Sequence, residues 1–232
     1  MSLTLHTVVV SDFQQNARIL FDDQSMQAII IDPGADVEQL FELTKDYCVT
    51  TLFLTHCHID HAGGVQHLLQ LFEQHLLEKP TLIYHSNDII IGTHIEPLAL
   101  QYGLSSADYK NTPQPDQPAE SLSSLKLGDY CLHLLFTPGH SPGHVALFLD
   151  SDQFKLTGVY TDQFACDHLL IAGDALFAGS IGRTDLPLGN HEQLLTSIKT
   201  QLFTLPEKTL VCSGHGPNTT IGHEKATNPF FQ

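Results

Sequence analysis

Apolar and polar positions recur at two periods along this chain. Short apolar or β-branched runs at residues 7–10, 17–21 and 28–31 predict strands of a meander, the last stopping at the turn Asp32-Pro33-Gly34. The period then becomes helical: Val37, Leu40, Phe41 and Leu43 mark an apolar side over residues 36–45, and Val65, Leu68, Leu69, Phe72 and Leu76 mark another over residues 65–77. Between them, residues 51–54 predict a strand. Residues 82–85 predict a further strand and residues 87–101 a helix. Residues 105–124, rich in Ser, Pro, Gln and Asp, read as an extended connection, since strand patterns resume at once. Strands over residues 132–136, 145–149, 154–160 and 168–171 are expected to form a second sheet. A helix over residues 191–203, with Leu194, Leu195, Ile198 and Leu202 on one face, and a short strand at residues 209–212 close the pattern. The two halves each deliver a polar cluster directly after an apolar strand, where a sheet fixes the backbone and a loop carries reactive groups.

A chain of 232 residues is an ordinary length for one domain, and residues 1–232 are expected to form one. Hydrophobic residues make up 42% and charged ones 16%, a balance that folds. The 26 acidic against 10 basic residues give a formal charge of −16, a field that repels phosphate backbones and anionic lipid, so neither nucleic acid nor membrane is an expected partner. The first residues carry no basic segment followed by an apolar one, and no stretch reaches the roughly 20 apolar residues of a membrane span; a cytoplasmic location is the expectation. Cys48, Cys57, Cys131, Cys166 and Cys212 are scattered without a CxxC pair, which predicts reduced thiols rather than disulfides or a thiolate zinc knuckle. Nothing in the pattern speaks to oligomeric state.

The chemistry concentrates in Thr55-His56-Cys57-His58-Ile59-Asp60-His61-Ala62-Gly63-Gly64. One strand end can present the imidazoles of His56 and His58, while the turn into the next helix aims Asp60 and His61 at an adjacent point. Neutral imidazole and carboxylate suit zinc, iron or manganese, and an open position on such a metal holds a water acidified to near neutrality. Three later segments supply further donors: His140 in the Gly and Pro-rich turn Pro138-Gly139-His140-Ser141-Pro142-Gly143-His144, Asp174 at the end of Leu170-Ile171-Ala172-Gly173-Asp174, and His215 in Gly214-His215-Gly216-Pro217. Alternation along an extended backbone turns Cys57 away from His56 and His58. The proline and glycines between His140 and His144 argue against a helix there, which leaves His144 a supporting role. Asp32 reads as a turn residue or a hydrogen-bond acceptor behind the metal donors.

The succession T-H-C-H-I-D-H-A-G-G, P-G-H-S-P-G-H, G-D-A-L-F and G-H-G-P resembles the metallo-β-lactamase superfamily, specifically its glyoxalase II-like (hydroxyacylglutathione hydrolase-like) enzymes. Gly179 to Pro187, Gly214 to Ile221 and Asn228-Pro229-Phe230 are similar to the short, single-domain bacterial subgroup. The resemblance implies an α/β fold, a four-layer αβ/βα sandwich. It also implies a two-metal site, most simply of zinc, with His56, His58 and His140 on one ion, Asp60, His61 and His215 on the other, and Asp174 bridging. A hydroxide shared by the cations would attack a thioester carbonyl, releasing a 2-hydroxy acid and glutathione from an S-2-hydroxyacylglutathione. Asp60 is the expected catalytic carboxylate, orienting the hydroxide or handling a proton. Arg183 is read either as a structural ion pair with Asp185 or, from the resemblance, as a contact to the anionic substrate. The segment 86–120 is a candidate wall for the substrate pocket. The rivals are a persulfide dioxygenase, which on this fold holds one iron through the equivalents of His56, His140 and Asp174, and a lactone or small-ester hydrolase.

Overall fold

A computed structural model describes residues 3–161 and 165–232. Strands β1 (Leu3–Val10), β2 (Gln15–Asp22), β3 (Gln27–Ile31), β4 (Cys48–Phe53), β5 (Thr81–Tyr84) and β6 (Gln117–Pro118) belong to one sheet. Strands β7 (Ser124–Leu127), β8 (Tyr130–Phe136) and β9 (Val145–Leu149) open another, before β10 (Phe154–Gly158) crosses back. β11 (His168–Gly173), β14 (Thr209–Ser213) and β15 (Thr219–Thr220) complete the second sheet, and β12 (Leu176–Phe177) with β13 (Ser180–Ile181) makes a small ribbon. The orders are β10-β1-β2-β3-β4-β5-β6 and β15-β14-β11-β9-β8-β7. Helices α1 (Val37–Thr44), α2 (Ile59–Ala62), α3 (Val65–Gln74), α4 (Ile89–Gly92) and α5 (Ile95–Gln101) serve the first sheet, and α6 (His191–Ser197) and α7 (Ile221–Thr227) the second.

Alternation of side chains explains the four layers. Leu20, Ile29, Ile31 and Phe53 of the first sheet meet Leu132, Leu147, Leu169 and Ile171 of the second in a buried layer between the sheets. Their neighbours Ile19, Ile30 and Leu52 point the other way, onto Leu40, Phe41, Leu68 and Phe72 of α1 and α3. Leu170, Ala172 and Val211 do the same for Leu194, Ile198 and Ile221 on the far side. Strands covered on both faces therefore read as continuous apolar runs, and each such side chain contributes about 1.5–3 kcal/mol of burial. The chain is thus a mixed α/β sandwich, as expected. No helix among the described residues is long and apolar enough to cross a membrane.

Three expectations need correction. Residues 154–160 were assigned to the second sheet, but β10 pairs in parallel with β1 at the edge of the first, Leu3 opposite Phe154 and Leu5 opposite Leu156. Its apolar side chains face the layer between the sheets from either position, so periodicity names the face and not the sheet. The helix over residues 87–101 is broken at Thr93 and His94, because Thr93 Oγ1 donates to the Ile90 carbonyl and His94 Nδ1 lies 2.7 Å from the same oxygen. The helix over residues 191–203 is regular only to Ser197 and widens into a π turn over Ile198–Leu202.

Candidate metal centre

The polar cluster lies at one edge of the sandwich, where β4, β11 and β14 end and the β8–β9 connection turns. Asp32, just past β3, adopts a left-handed backbone (φ 53°) and accepts hydrogen bonds from Thr55 N and Thr55 Oγ1, both at 2.7 Å, and from His61 Nδ1 at 2.9 Å. Thr55 Oγ1, committed as a donor to Asp32, accepts from His56 Nδ1 at 3.0 Å. One carboxylate thereby orients two imidazoles, leaving the Nε2 atoms of His56 and His61 directed into the site.

His140 is fixed in the same manner. Its Nδ1 donates to the Arg183 carbonyl at 2.7 Å, and its Nε2 lies 2.9 Å from His58 Nδ1 and 3.2 Å from His56 Nε2. Burial pushes the His58 pKa down to about 3, with His140 adding to the effect; burial also holds His56 well below its ordinary value. Neutral imidazoles converging at such separations present lone pairs to a cation.

The second group sits beside it. His215 Nε2 lies 3.0 Å from Asp60 Oδ2 and 3.7 Å from Asp174 Oδ2, and His61 Nε2 lies 3.3 Å from Asp174 Oδ1 and 3.7 Å from Asp60 Oδ2. Asp174 Oδ2 also approaches His140 Nε2, at 3.6 Å, so this carboxylate touches both groups. Burial alone would raise the Asp174 pKa, but His61, His140 and His215 outweigh it and hold the carboxyl far below the usual range. Burial likewise opposes a charged His61, yet Asp174, Asp60 and Asp32 raise its pKa well above the ordinary value.

Whether these residues suit metal is answered by their unmet bonding. His61 Nε2 and Asp174 Oδ1 are buried facing each other at 3.3 Å and make no hydrogen bond, an arrangement that leaves both lone-pair donors open to a cation. Three sets of donors, His56-His58-His140, His56-His61-Asp174 and Asp60-His61-His215, each fall within 4.8 Å. All seven residues singled out in the sequence as metal donors are brought together, and two adjoining divalent ions fit this donor chemistry.

Glycine permits the closest approach. Gly173 has φ 49°, and a Cβ there would lie 2.6 Å from Thr55 Oγ1; a Cβ on Gly214 would lie 2.0 Å from Asp174 Oδ1. Cys57 is buried in the core, turned away from the donors. His144 Nδ1 donates to Thr137 Oγ1 at 2.8 Å, and its Nε2 accepts from Asp174 N at 3.1 Å, so it orients Asp174. Arg183 holds Asp185 through Nε at 2.7 Å and Nη2 at 2.9 Å, which is the ion pair of the first reading.

Two contributors escape sequence reading. Asp88, hidden inside the supposed continuous helix, accepts from Cys57 N (2.9 Å), Ser141 Oγ (2.8 Å) and Gly143 N, tying the His56–His58 segment to the His140 turn. Arg18 is wholly buried and donates through Nη1 to the Ser213 carbonyl at 2.8 Å, while Asn16 Nδ2 bonds the Ser213 and Gly216 carbonyls, fixing the loop of His215. A lone arginine in an apolar strand was the available signal for the second; the first had none.

A strand-end, two-group His and Asp centre on an αβ/βα sandwich is the arrangement of a metal-dependent hydrolase-type superfamily. Residues 11–158 and 160–215 match the family model described as Metallo-beta-lactamase superfamily, and the chain belongs to that superfamily. It is 36% identical over 226 residues to the probable metallo-hydrolase YqgX of Bacillus subtilis, covering 96% of this chain and 94% of that protein. It is 33% identical over 235 residues to the hydroxyacylglutathione hydrolase GloC of Haemophilus influenzae, covering 99% and 98%. The crystal structure of TTHA1623 in a di-iron-bound form shares 32% identity at a TM-score of 0.74, covering 97% of this chain and 98% of that one.

Proposed function

We propose that this protein is a thioester hydrolase of glyoxalase II type acting at a two-metal centre. The observation that carries the reading is the convergence of two donor groups beside the buried Asp174, whose Oδ1, like His61 Nε2, makes no hydrogen bond. His56, His58 and His140 would hold one ion, Asp60, His61 and His215 the other, with Asp174 shared. When bound, such ions supply a water acidified to near neutral pH and positive charge where an oxyanion develops. The similarity to a hydroxyacylglutathione hydrolase supports the choice of bond.

The chain's own groups do the positioning. Asp60 lines the cavity above the centre and is anchored by His215, which supports a role for its carboxylate in orienting water and in taking up and returning a proton. Water oxygen bonds to the acyl carbon, the carbon–sulfur bond breaks, and the thiolate leaves with a proton, giving acid and thiol. No serine or cysteine nucleophile is required; Cys57 is buried in the core, with burial raising its pKa well above the ordinary value. The second donor group, Asp60 with His61 and His215, favours two-metal hydrolysis over dioxygenation at a single iron.

The test is hydrolysis of S-lactoylglutathione and simpler thioesters by protein of quantified metal content, with oxygen uptake on glutathione persulfide run beside it. Two metals per chain and thioester cleavage without oxygen consumption are expected. One iron with oxygen uptake overturns the proposal.

A further inference from the structure

Above the metal centre opens a cavity of about 950 Å³ whose floor includes His58, Asp60, His140, Asp174 and His215. Its far wall is apolar: Ile90 and Ile91 of α4, Leu98 and Tyr102 in and after α5, Phe177 of β12 and Leu188. Ile90, Tyr102 and Leu188 are 56%, 57% and 56% exposed, a concentration of large apolar side chains around one opening that folding alone does not call for. Among the described residues lining the cavity, Arg183 is the only lysine or arginine, and Asp185 pairs with one edge of its guanidinium, through Nε and Nη2.

Leu188 carries a separate signal. Leu186, Pro187, Leu188 and Gly189 form a turn closed by Gly189 N donating to the Leu186 carbonyl at 3.0 Å, and Leu188 has φ 70°. Proline followed by a left-handed residue is the type II pattern, in which the third position calls for glycine. A leucine held there bears conformational strain while its side chain stays half in solvent at the mouth of the cavity. The side chain is doing something the backbone does not need.

We infer that this wall binds the apolar chain of the acyl group, so that thioesters of medium-length hydrophobic acids are preferred over those of short ones. The inference rests on the thioesterase reading and specifies its acyl side. A carbonyl placed over the metal floor sends its chain along Ile91 and Leu98 toward Leu188.

The test is calorimetric titration of the metal-loaded protein with 2-butanone, 2-hexanone and 2-octanone, whose carbonyls stand in for a thioester carbonyl and resist hydrolysis. At about 0.8 kcal/mol per buried methylene, affinity should rise about fourfold per added carbon. In Leu188→Gly, which relieves the strained turn and is expected to melt no lower than the parent, the gain from 2-butanone to 2-octanone should shrink severalfold; Ile90→Ser should act in the same direction. Affinity independent of chain length, or an unaltered gradient in both variants, overturns the inference. Acetyl and octanoyl thioesters of N-acetylcysteamine, assayed in parallel, separate the two readings. A ketone gradient without hydrolysis sinks the thioesterase and keeps the acyl wall, and hydrolysis without a gradient does the reverse.

Discussion

At the floor of the cavity, seven donor side chains converge from four segments distant in sequence, and several are held from behind: His56 and His61 through Asp32, His140 through the Arg183 carbonyl, Asp174 through His144. Across the same cavity, the wall is made of two short helices and a strained turn whose apolar side chains Ile90, Tyr102 and Leu188 reach solvent. The floor tolerates little displacement, because metal and transition-state chemistry depend on directed lone pairs and charge. Apolar contact is non-directional, so the wall can change shape without disturbing the floor. Reaction and selectivity are thereby separable in this molecule.

The largest disruption is expected at the residue shared by both donor groups. Asp174→Asn keeps the shape but removes the charge facing His61, His140 and His215; metal content should fall from two toward one per chain. Hydrolysis should fall by about a thousandfold or more, since metal stabilisation of transition-state charge amounts to several kcal/mol. Retention of both ions at wild-type rate removes Asp174 from the centre.

Asp88 tests whether floor and wall are separable where they meet at α4, since it clasps the two histidine segments and directly precedes that helix. Asp88→Ala orphans two buried backbone donors and a hydroxyl. It should cost about 2–3 kcal/mol in chemical denaturation and about ten- to hundredfold in metal affinity, measured by competition with a chelator. If metal affinity is untouched while stability drops, Asp88 is a packing residue only.

The smallest effect is expected from Asp185→Asn, which frees the exposed Arg183 guanidinium at the rim. Activity on S-lactoylglutathione should rise by less than about threefold and weaken with added salt, as a solvent-exposed charge is screened. A much larger rise would show that anion recognition, not apolar contact, limits this substrate.

The strand ends carrying His56, His58, Asp60, His61, Asp174 and His215 were legible because metal-donor residues directly follow apolar runs, a relation among neighbours in the chain. The apolar runs along β2, β3 and β11 likewise marked these segments as strands. Less was visible where a residue's purpose lies far along the chain. Asp88 bonds Ser141 across 53 positions and Arg18 bonds Ser213 across 195. The helix break at Thr93 and His94 follows from side chains competing for one carbonyl, which a stripe of Ile and Leu does not disclose.

By itself, then, the sequence determined the local facts: where strands and helices run, which faces are apolar, and which donors stand at strand ends. Tertiary structure alone decided that β10 joins the first sheet, that Arg183 is spent on Asp185 while its carbonyl holds His140, and that the cavity opposite the metals is walled by hydrocarbon. The physical reason is range: propensity and periodicity act over a few residues, whereas register, hydrogen-bond partnership and cavity lining are settled by groups that meet only once the two sheets have closed on each other.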